Sequence, residues 1–494
     1  LPDFHRMRQL PVRQIHLALE NEDFIRYDVI EQGIDFDLHY HEELVDTSRS
    51  ARPFFVRQEP VSVEHWYAHD LPAQPHQDHM FSPNDHRGTL MFQISEFGRP
   101  RQPLVNSWEY VAAQIRRGTN SPFQQIEELD ALKELGEEVA REAASEAEAE
   151  RLIFDYVNRT MVFNGAWRPF PETPPDRVLE GEPSDQAAIN LALLAILRGA
   201  GLEAWPLYVS DRHAGRINRD FPSLYQFTRL LIGVADGTDY RVMDAAWEQS
   251  RPGLLPVEAL VDSGFLLTET GFEWVSVDPG FSLFDLDVTL DAELSPEGDL
   301  SGTVRVETVG YPAREIRQLL SARGEADDVM RQALFETYPE VLLAGTRMTE
   351  SEQNHDYSLQ MSSTFRIPNY AVSFREGMQF HPMVVGFLDH NPFEELERQG
   401  PVSLDAPERH RIRFRLRLPP GYRLAGARSE QVTGIPGAEL REQYEISGRD
   451  LLIQFAMDID RTEFPADLYG ELRSIYERWV FLGRDQWYIE HNLD

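Results

Sequence analysis

Ser184 and Asp185 stand just ahead of an apolar run, Ile189 to Leu197, where a helix is expected to begin. A hydroxyl there is placed like a nucleophile, because the positive end of a helix dipole favours a developing anion. Both residues are also among the commonest helix caps, their oxygens accepting the unpaired N–H groups of the first turn, and that reading is the simpler one. A second concentration of reactive types lies early in the chain: His5, His16, His39, His41, His65, His69, His76, His79 and His86 all fall before residue 87. His39 and His41 share a face if they lie on a strand, and His65 and His69 share one if they lie on a helix, so each pair has chelating geometry. Neither a cysteine nor a tight carboxylate set completes a metal site, and these residues are read as surface and interface histidines, with no metal and no cofactor. Trp167, Trp205, Trp247 and Trp274 crowd the middle of the chain. They either line a groove, with Trp205 and Trp247 joining Ser184 and Asp185 as its candidate residues, or pack in the core as tryptophans more often do. Thiol chemistry is excluded, because the chain has no cysteine.

The rest of the composition narrows the class. Lys and Arg number 47 against 83 Asp and Glu, a formal charge of −36 at pH 7. That balance repels phosphate backbones, so nucleic acid is not an expected partner. Lys133 is the one lysine, leaving 47 − 1 = 46 arginines, a bias that speaks of a GC-rich or salt-adapted organism and of solubility. The longest apolar stretch, Ile189 to Leu197, falls well short of the roughly 20 residues of a membrane span. With 494 residues, 41% of them hydrophobic, the chain has material for several cores, since one core stops growing near roughly 250–300 residues. The acidic run from Glu137 to Glu150 reads as a solvated helix face.

Periodicity places these residues on elements. From the start to about Arg117, short alternating runs such as Thr89 to Ile94 are broken by Pro, Asn and Asp, which predicts strands. From Phe123 to about Phe163 the apolar period becomes helical and two helices are expected. A Pro-rich connector, Pro169 to Pro175, leads to a helix that starts near Ser184 or Asp185 and stops at Gly199 to Gly201. Three strand-like runs follow, Ala204 to Val209, Phe227 to Val234 and Tyr240 to Ala245. Beyond Ser282 alternation resumes, with a hairpin signal at Ser295 to Asp299 and a helical insert at about Ala313 to Thr337.

Two features of the middle segment together resemble the transglutaminase-like superfamily, whose triad is Cys at a helix start, then His, then Asp on adjacent strands. Leu197-Arg198 followed by Gly199 to Ala204 looks like the turn that closes the family's nucleophile helix. Phe227-Thr228-Arg229 and Val242-Met243-Asp244-Ala245 look like its Phe-Asn-His and Leu-Asp-Ala-Thr segments. The wider chain is similar to bacterial envelope proteins in which this core lies between two β-rich domains, through Trp108, Asn391-Pro392-Phe393, Arg398, Pro401-Val402 and Leu418 to Tyr422. Counting back without gaps from Leu197-Arg198, the family's Gly-Asp-Cys-Lys-Asp falls on Ser184 to Ala188, so Gln186 replaces the nucleophile and Arg229 the base, and Asp244 keeps its family identity.

The resemblance implies an α+β chain with three parts: a β domain over 1–118, entered part-way through; a papain-like, transglutaminase-like core of helix and antiparallel sheet over 119–280; and a β-rich domain with a helical insert over 281–494. It also implies a pseudoenzyme. An amide and a guanidinium cannot serve as thiolate and imidazole, so the degenerate triad Gln186, Arg229 and Asp244 is not expected to turn over substrate. Arg229 is instead expected to meet Asp244 in a two-pronged ion pair with Gln186 at its edge. The implied role is a binding or scaffold component of a cell-envelope assembly, periplasmic, outer-membrane-associated or extracellular, with a protein or peptide partner. Two alternatives stay open: a hydrolase or transferase with a non-thiol nucleophile such as Ser184, and a carbohydrate- or peptide-binding module built on the β domains.

Overall fold

The computed structural model describes residues 4–5, 11–21, 24–32, 36–45, 60–71, 73, 77–86, 89–104, 106–119, 121–277, 280, 282–351, 357–386, 388–426 and 429–491. Among them the chain is α+β and rich in strand, with eight α-helices. Residues up to 103 build two small sheets. Strands Val12–Asn21, Pro60–Leu71 and Leu38–Val45 form one, and Phe4–His5, Thr89–Phe97 and Ile25–Gln32 with Gln102–Pro103 form the other. Leu19 and Trp66 of the first sheet pack with Leu90 of the second.

These strands change the reading of the histidines. His65 and His69 lie in Pro60–Leu71, not on a helix, and four residues of strand separate them by about 13 Å, too far to share an ion. His65 instead bonds His16 at 2.9 Å and Glu42 at 3.2 Å. His39 and His41 do lie two apart on one strand, but His39 is spent on stacking against Trp66 and pairing with Glu64. His76 lies outside the described residues. Among the described residues no three His, Asp or Glu side chains gather into a set able to hold a metal ion.

The helical part starts earlier than the alternation suggested. α1 (Trp108–Arg117) takes the last ten residues of the predicted β segment, with the Ser107 side chain accepting from the Tyr110 N–H. Three helices, α2 (Pro122–Glu127), α3 (Asp130–Glu142) and α4 (Glu146–Thr160), fill the stretch where two were expected. Then comes α5 (Gln186–Gly199), capped by Asp185 and buried on every side from Gln186 to Leu197. A helix apolar all round is stable only when wholly covered. α3 and α4 cover one side. The other side lies on the antiparallel sheet of β1 (Ala204–Val209), β2 (Arg229–Asp236), β3 (Asp239–Met243), β4 (Ser263–Leu267) and β5 (Phe272–Ser276), in the order β3-β2-β1-β4-β5.

α3 crosses α5 almost backbone to backbone. A Cβ on Gly136 would lie 2.0 Å from the Ile196 carbonyl oxygen, and one on Gly199 would lie 2.3 Å from that of Lys133. Neither obstacle is a flexible side chain, so the helices would have to part and α5 would lose its cover. Gly136→Ala and Gly199→Ala are each expected to cost about 3 kcal/mol, the upper end of ordinary overpacking. Urea denaturation followed by tryptophan fluorescence checks this, and a midpoint equal to the parent's contradicts the close crossing.

The remainder is a second β-rich body. β6 (Phe284–Leu294), β7 (Leu300–Gly310), β8 (Leu342–Glu350), β9 (Leu359–Ile367), β10 (Glu408–Arg417), β11 (Gln431–Ile435), β12 (Ala438–Ser447) and β13 (Asp450–Ile459) form one sheet in the order β8-β9-β7-β6-β10-β13-β12-β11. β6 and β10 run parallel, joined by long excursions, and the other pairs are antiparallel. The hairpin at Ser295 to Asp299 closes with Ser295 N–H donating to the Asp299 carbonyl and Gly298 at φ +96°. One face is covered by α6 (Tyr311–Arg323), α7 (Ala326–Leu334), α8 (Tyr469–Arg484) and a small sheet that includes Gly377–Phe380 and Trp487–His491, around Phe414, Phe455, Trp479 and Trp487. α8 goes beyond the one expected insert; its buried Leu472, Ile475, Tyr476 and Trp479 recur at helical spacing.

The segment from Gln77 to Asp85 joins these parts. The His79 carbonyl accepts from the Ser403 N–H and from Arg398. Arg216 then gathers one carboxylate from each region, Asp85 at 2.8 Å, Asp262 at 2.6 Å and Glu463, while its guanidinium lies 3.8 Å over the Phe81 ring.

Candidate functional site

α5 begins against β2 and the end of β3, and, of the three residues that the resemblance singles out, Gln186 and Asp244 meet there. Gln186, the first residue of α5, is fully buried. Its Nε2 donates to the Leu230 carbonyl at 2.6 Å and to Asp244 Oδ2 at 3.4 Å, while its Oε1 accepts from the Leu230 N–H at 3.4 Å. The amide therefore matches both polar groups of one β2 residue. One turn along α5, Asn190 faces the same way. Its Nδ2 donates to the Leu230 carbonyl at 2.7 Å and to Asp244 Oδ1 at 3.0 Å, and its Oδ1 accepts from the Ala245 N–H. The Ala246 N–H is the third donor to the Asp244 carboxylate and the second to its Oδ1.

Arg229, the first residue of β2, does not make the expected two-pronged pair. Its Nε donates to Asp211 Oδ2 at 3.3 Å, its guanidinium lies 4.0 Å over the Trp167 ring, and its Nη1 is buried with no acceptor among the described residues. The correction has a physical cause. Oδ1 of Asp244 already accepts from Asn190 and the Ala246 N–H, while Trp167 and Asp211 offer the cation a ring face and a carboxylate. Arg229 still acts on Asp244 through space: burial pushes the Asp244 carboxyl up, and the guanidinium and the hydrogen-bond donors oppose that push.

The other candidates sit less close to one another than the sequence suggested. Ser184 Oγ donates to the Glu182 carbonyl at 2.8 Å, and its side chain is buried. Asp185 is a cap: Oδ1 accepts from the Ala188 N–H, and Oδ2 accepts from the Glu172 and Thr173 N–H groups, tying the Pro-rich connector to the start of α5. Trp205 and Trp247 are not part of this cluster. Trp205 packs under Arg198 at the far end of α5, about 20 Å along the helix, and Trp247 lies under Arg314 beside Tyr311. The tryptophan at the site is Trp167, just before the Pro-rich connector and next to Ala166, whose carbonyl accepts from the Gln186 N–H. Sequence reasoning missed Asn190 and Asp211. A polar residue four positions after Gln186 inside an apolar helix was the available signal for the first. Asp211 follows the strand run that ends at Val209, the register partner of Arg229.

The electrostatics of this region predict a pH dependence. Burial raises the carboxyl groups of Asp244, Asp155 and Glu150, with arginines opposing in each case. A carboxyl whose folded pKa exceeds its unfolded one binds protons better when folded. Its contribution is whole below the ordinary carboxylate range of about 4 and is lost as pH rises through the raised value. Self-repulsion at −36 works in the same direction. Melting temperature at fixed ionic strength is therefore expected to rise as pH falls from 7 to about 5, and a steady fall over that interval contradicts it.

Comparisons with known proteins give two findings. Residues 376–486 match a family described as a domain of unknown function with a solved structure, DUF3858. The whole chain is similar in fold to a solved structure from Parabacteroides distasonis described as a candidate protease, with a TM-score of 0.57, 10% sequence identity and coverage of 99% of this chain and 74% of that one. At that identity the likeness is one of fold alone. No curated protein matches the chain. Among the described residues no helix is long and apolar enough to cross a membrane.

Proposed function

We propose that this chain is a catalytically silent relative of the transglutaminase-like enzymes, with its core at about 119–280 between β-rich domains, and that it works by binding. The observation that carries the reading is the position of Gln186. The first residue of the buried helix, where the superfamily places its thiol, is an amide bonded to β2 and to the carboxylate after β3. An amide so held has no nucleophilic lone pair to offer, and Arg229 cannot take a proton at neutral pH. The fold similarity to a candidate protease is consistent with this ancestry. The role we assign is a scaffold component of a cell-envelope assembly, outside the cytoplasm, with a protein or peptide as its partner. That assignment rests on the resemblance of Asn391 to Tyr422 to the closing domain of envelope proteins.

The purified chain is expected to show no transamidation, deamidation or peptide hydrolysis with glutamine-donor peptides. Turnover that follows the protein through repeated purification, or a covalent adduct of a serine-directed probe on Ser184, would replace this reading with that of a non-thiol hydrolase or transferase.

A further inference from the structure

The face of the eight-stranded sheet opposite α6, α7 and α8 presents alternating polar residues, the ordinary solvated side of an antiparallel sheet. Its arginines are mostly neutralised: Arg411 by Asp458, Arg413 by Asp287, Arg415 by Asp291, Arg417 by Glu293 and Asp450, and Arg366 by Asp299. Arg305 on β7 and Arg347 on β8 depart from this pattern, for neither has an acidic partner among the described residues.

The two belong to one row across the sheet, Arg347, Ser362, Arg305, Thr289 and Arg413, in register over five strands. Strands lie ~4.8 Å apart, so the arginines recur at about 10 Å with a hydroxyl between each pair. The row lines a recess of about 440 Å³, a volume within the range of small-molecule sites, roughly 300–1,000 Å³. Asp287, which pairs with Arg413, and Glu307, Thr349 and Gln360 line the same recess.

We propose that this recess binds an acidic oligosaccharide, a chain of sugar rings bearing carboxylates. The planar forks of Arg305 and Arg347 match carboxylates carried at intervals along such a chain. Glu307, Gln360, Ser362 and Thr289 supply the acceptors and donors that sugar hydroxyls require. A neutral sugar would leave the two cations unanswered. Either an acidic peptide or an acidic sugar would answer them, but the sugar also carries hydroxyl donors beside each carboxylate for Asp287 and Glu307, which acidic side chains lack. This site is remote in sequence from Gln186, Arg229 and Asp244, and the proposal does not depend on how the degenerate triad is read.

Calorimetric titration of the purified chain tests it, with hexagalacturonate as the probe and maltohexaose and hexaglutamate as comparators. Hexagalacturonate is expected to bind in low salt, at least tenfold more tightly than either comparator. In Arg305→Ala/Arg347→Ala the affinity is expected to fall at least tenfold, while Arg441→Ala, on the same face and outside the recess, keeps parental affinity. The proposal is overturned if hexagalacturonate does not bind, if hexaglutamate or maltohexaose binds as tightly, if the double variant binds like the parent, or if Arg441→Ala loses as much as the double variant.

Discussion

Asp244→Ala is expected to destabilise the core by about 3 kcal/mol, the lower part of the range for breaking a buried charged arrangement. The carboxylate is fully buried and accepts from Asn190, Ala246 and Gln186. On its removal the side-chain amides keep their bonds to the Leu230 carbonyl, but the Ala246 N–H loses its acceptor, and an orphaned buried donor alone costs about 1–3 kcal/mol. Arg229 also loses the nearby negative charge, though its ion pair with Asp211 limits that loss. Asp211→Ala should cost less, because Asp211 is partly exposed and binds Arg229 through one long contact. Urea midpoints of the two variants, read by tryptophan fluorescence, separate the cases. Equal midpoints, or a larger shift for Asp211→Ala, would mean that Arg229 and Asp211, and not Asp244, organise the site.

How much of this was legible beforehand depended on distance along the chain. Local signals served well: the Asp185 cap, the apolar run and the glycines after Arg198 mark out α5, and β1 coincides with Ala204 to Val209. The meeting of Gln186 with Asp244 followed from the family resemblance, which places one at a helix start and the other on an adjacent strand. What spacing did not supply was the choice of partners. Arg229 had two carboxylates within reach, and deciding between them requires knowing that Oδ1 of Asp244 already serves Asn190 and the Ala246 N–H and that the Trp167 ring lies against the cation that Asp211 pairs with. The same limit applied to the tryptophans. Trp167, Trp205 and Trp247 look alike in sequence, and the ties of Ala166 to the Gln186 N–H and of Glu172 and Thr173 to Asp185 hold the segment that sets Trp167 over Arg229. His65 and His69 failed for another reason, since a four-residue interval is compatible with either period and the strand resolves it against chelation.

On the proposed function, Gln186, Arg229 and Asp244 stand where the family holds a thiol, an imidazole and an orienting acid. If so, two substitutions should recreate the electrostatics of a thiol enzyme without redesign of its surroundings. In Gln186→Cys/Arg229→His the new thiol would sit at the N-terminus of a 14-residue helix, beside an imidazole, with Asp244 retained to orient it. Helix ends and neighbouring imidazolium groups lower a thiol from about 8.5 to between about 3.5 and 7.5. The matched control is Gln186→Cys/Arg229→Ala, which keeps the helix end, the burial and the acid but lacks the imidazole. Ultraviolet titration of the thiolate in both variants, each first shown to melt cooperatively, is the most direct measurement. The account predicts a thiol pKa of about 7 or below with the histidine, at least one unit beneath that of the control. Two superimposable titrations would contradict it, because they would show that residues 186 and 229 do not face each other as the pair of a former active site must.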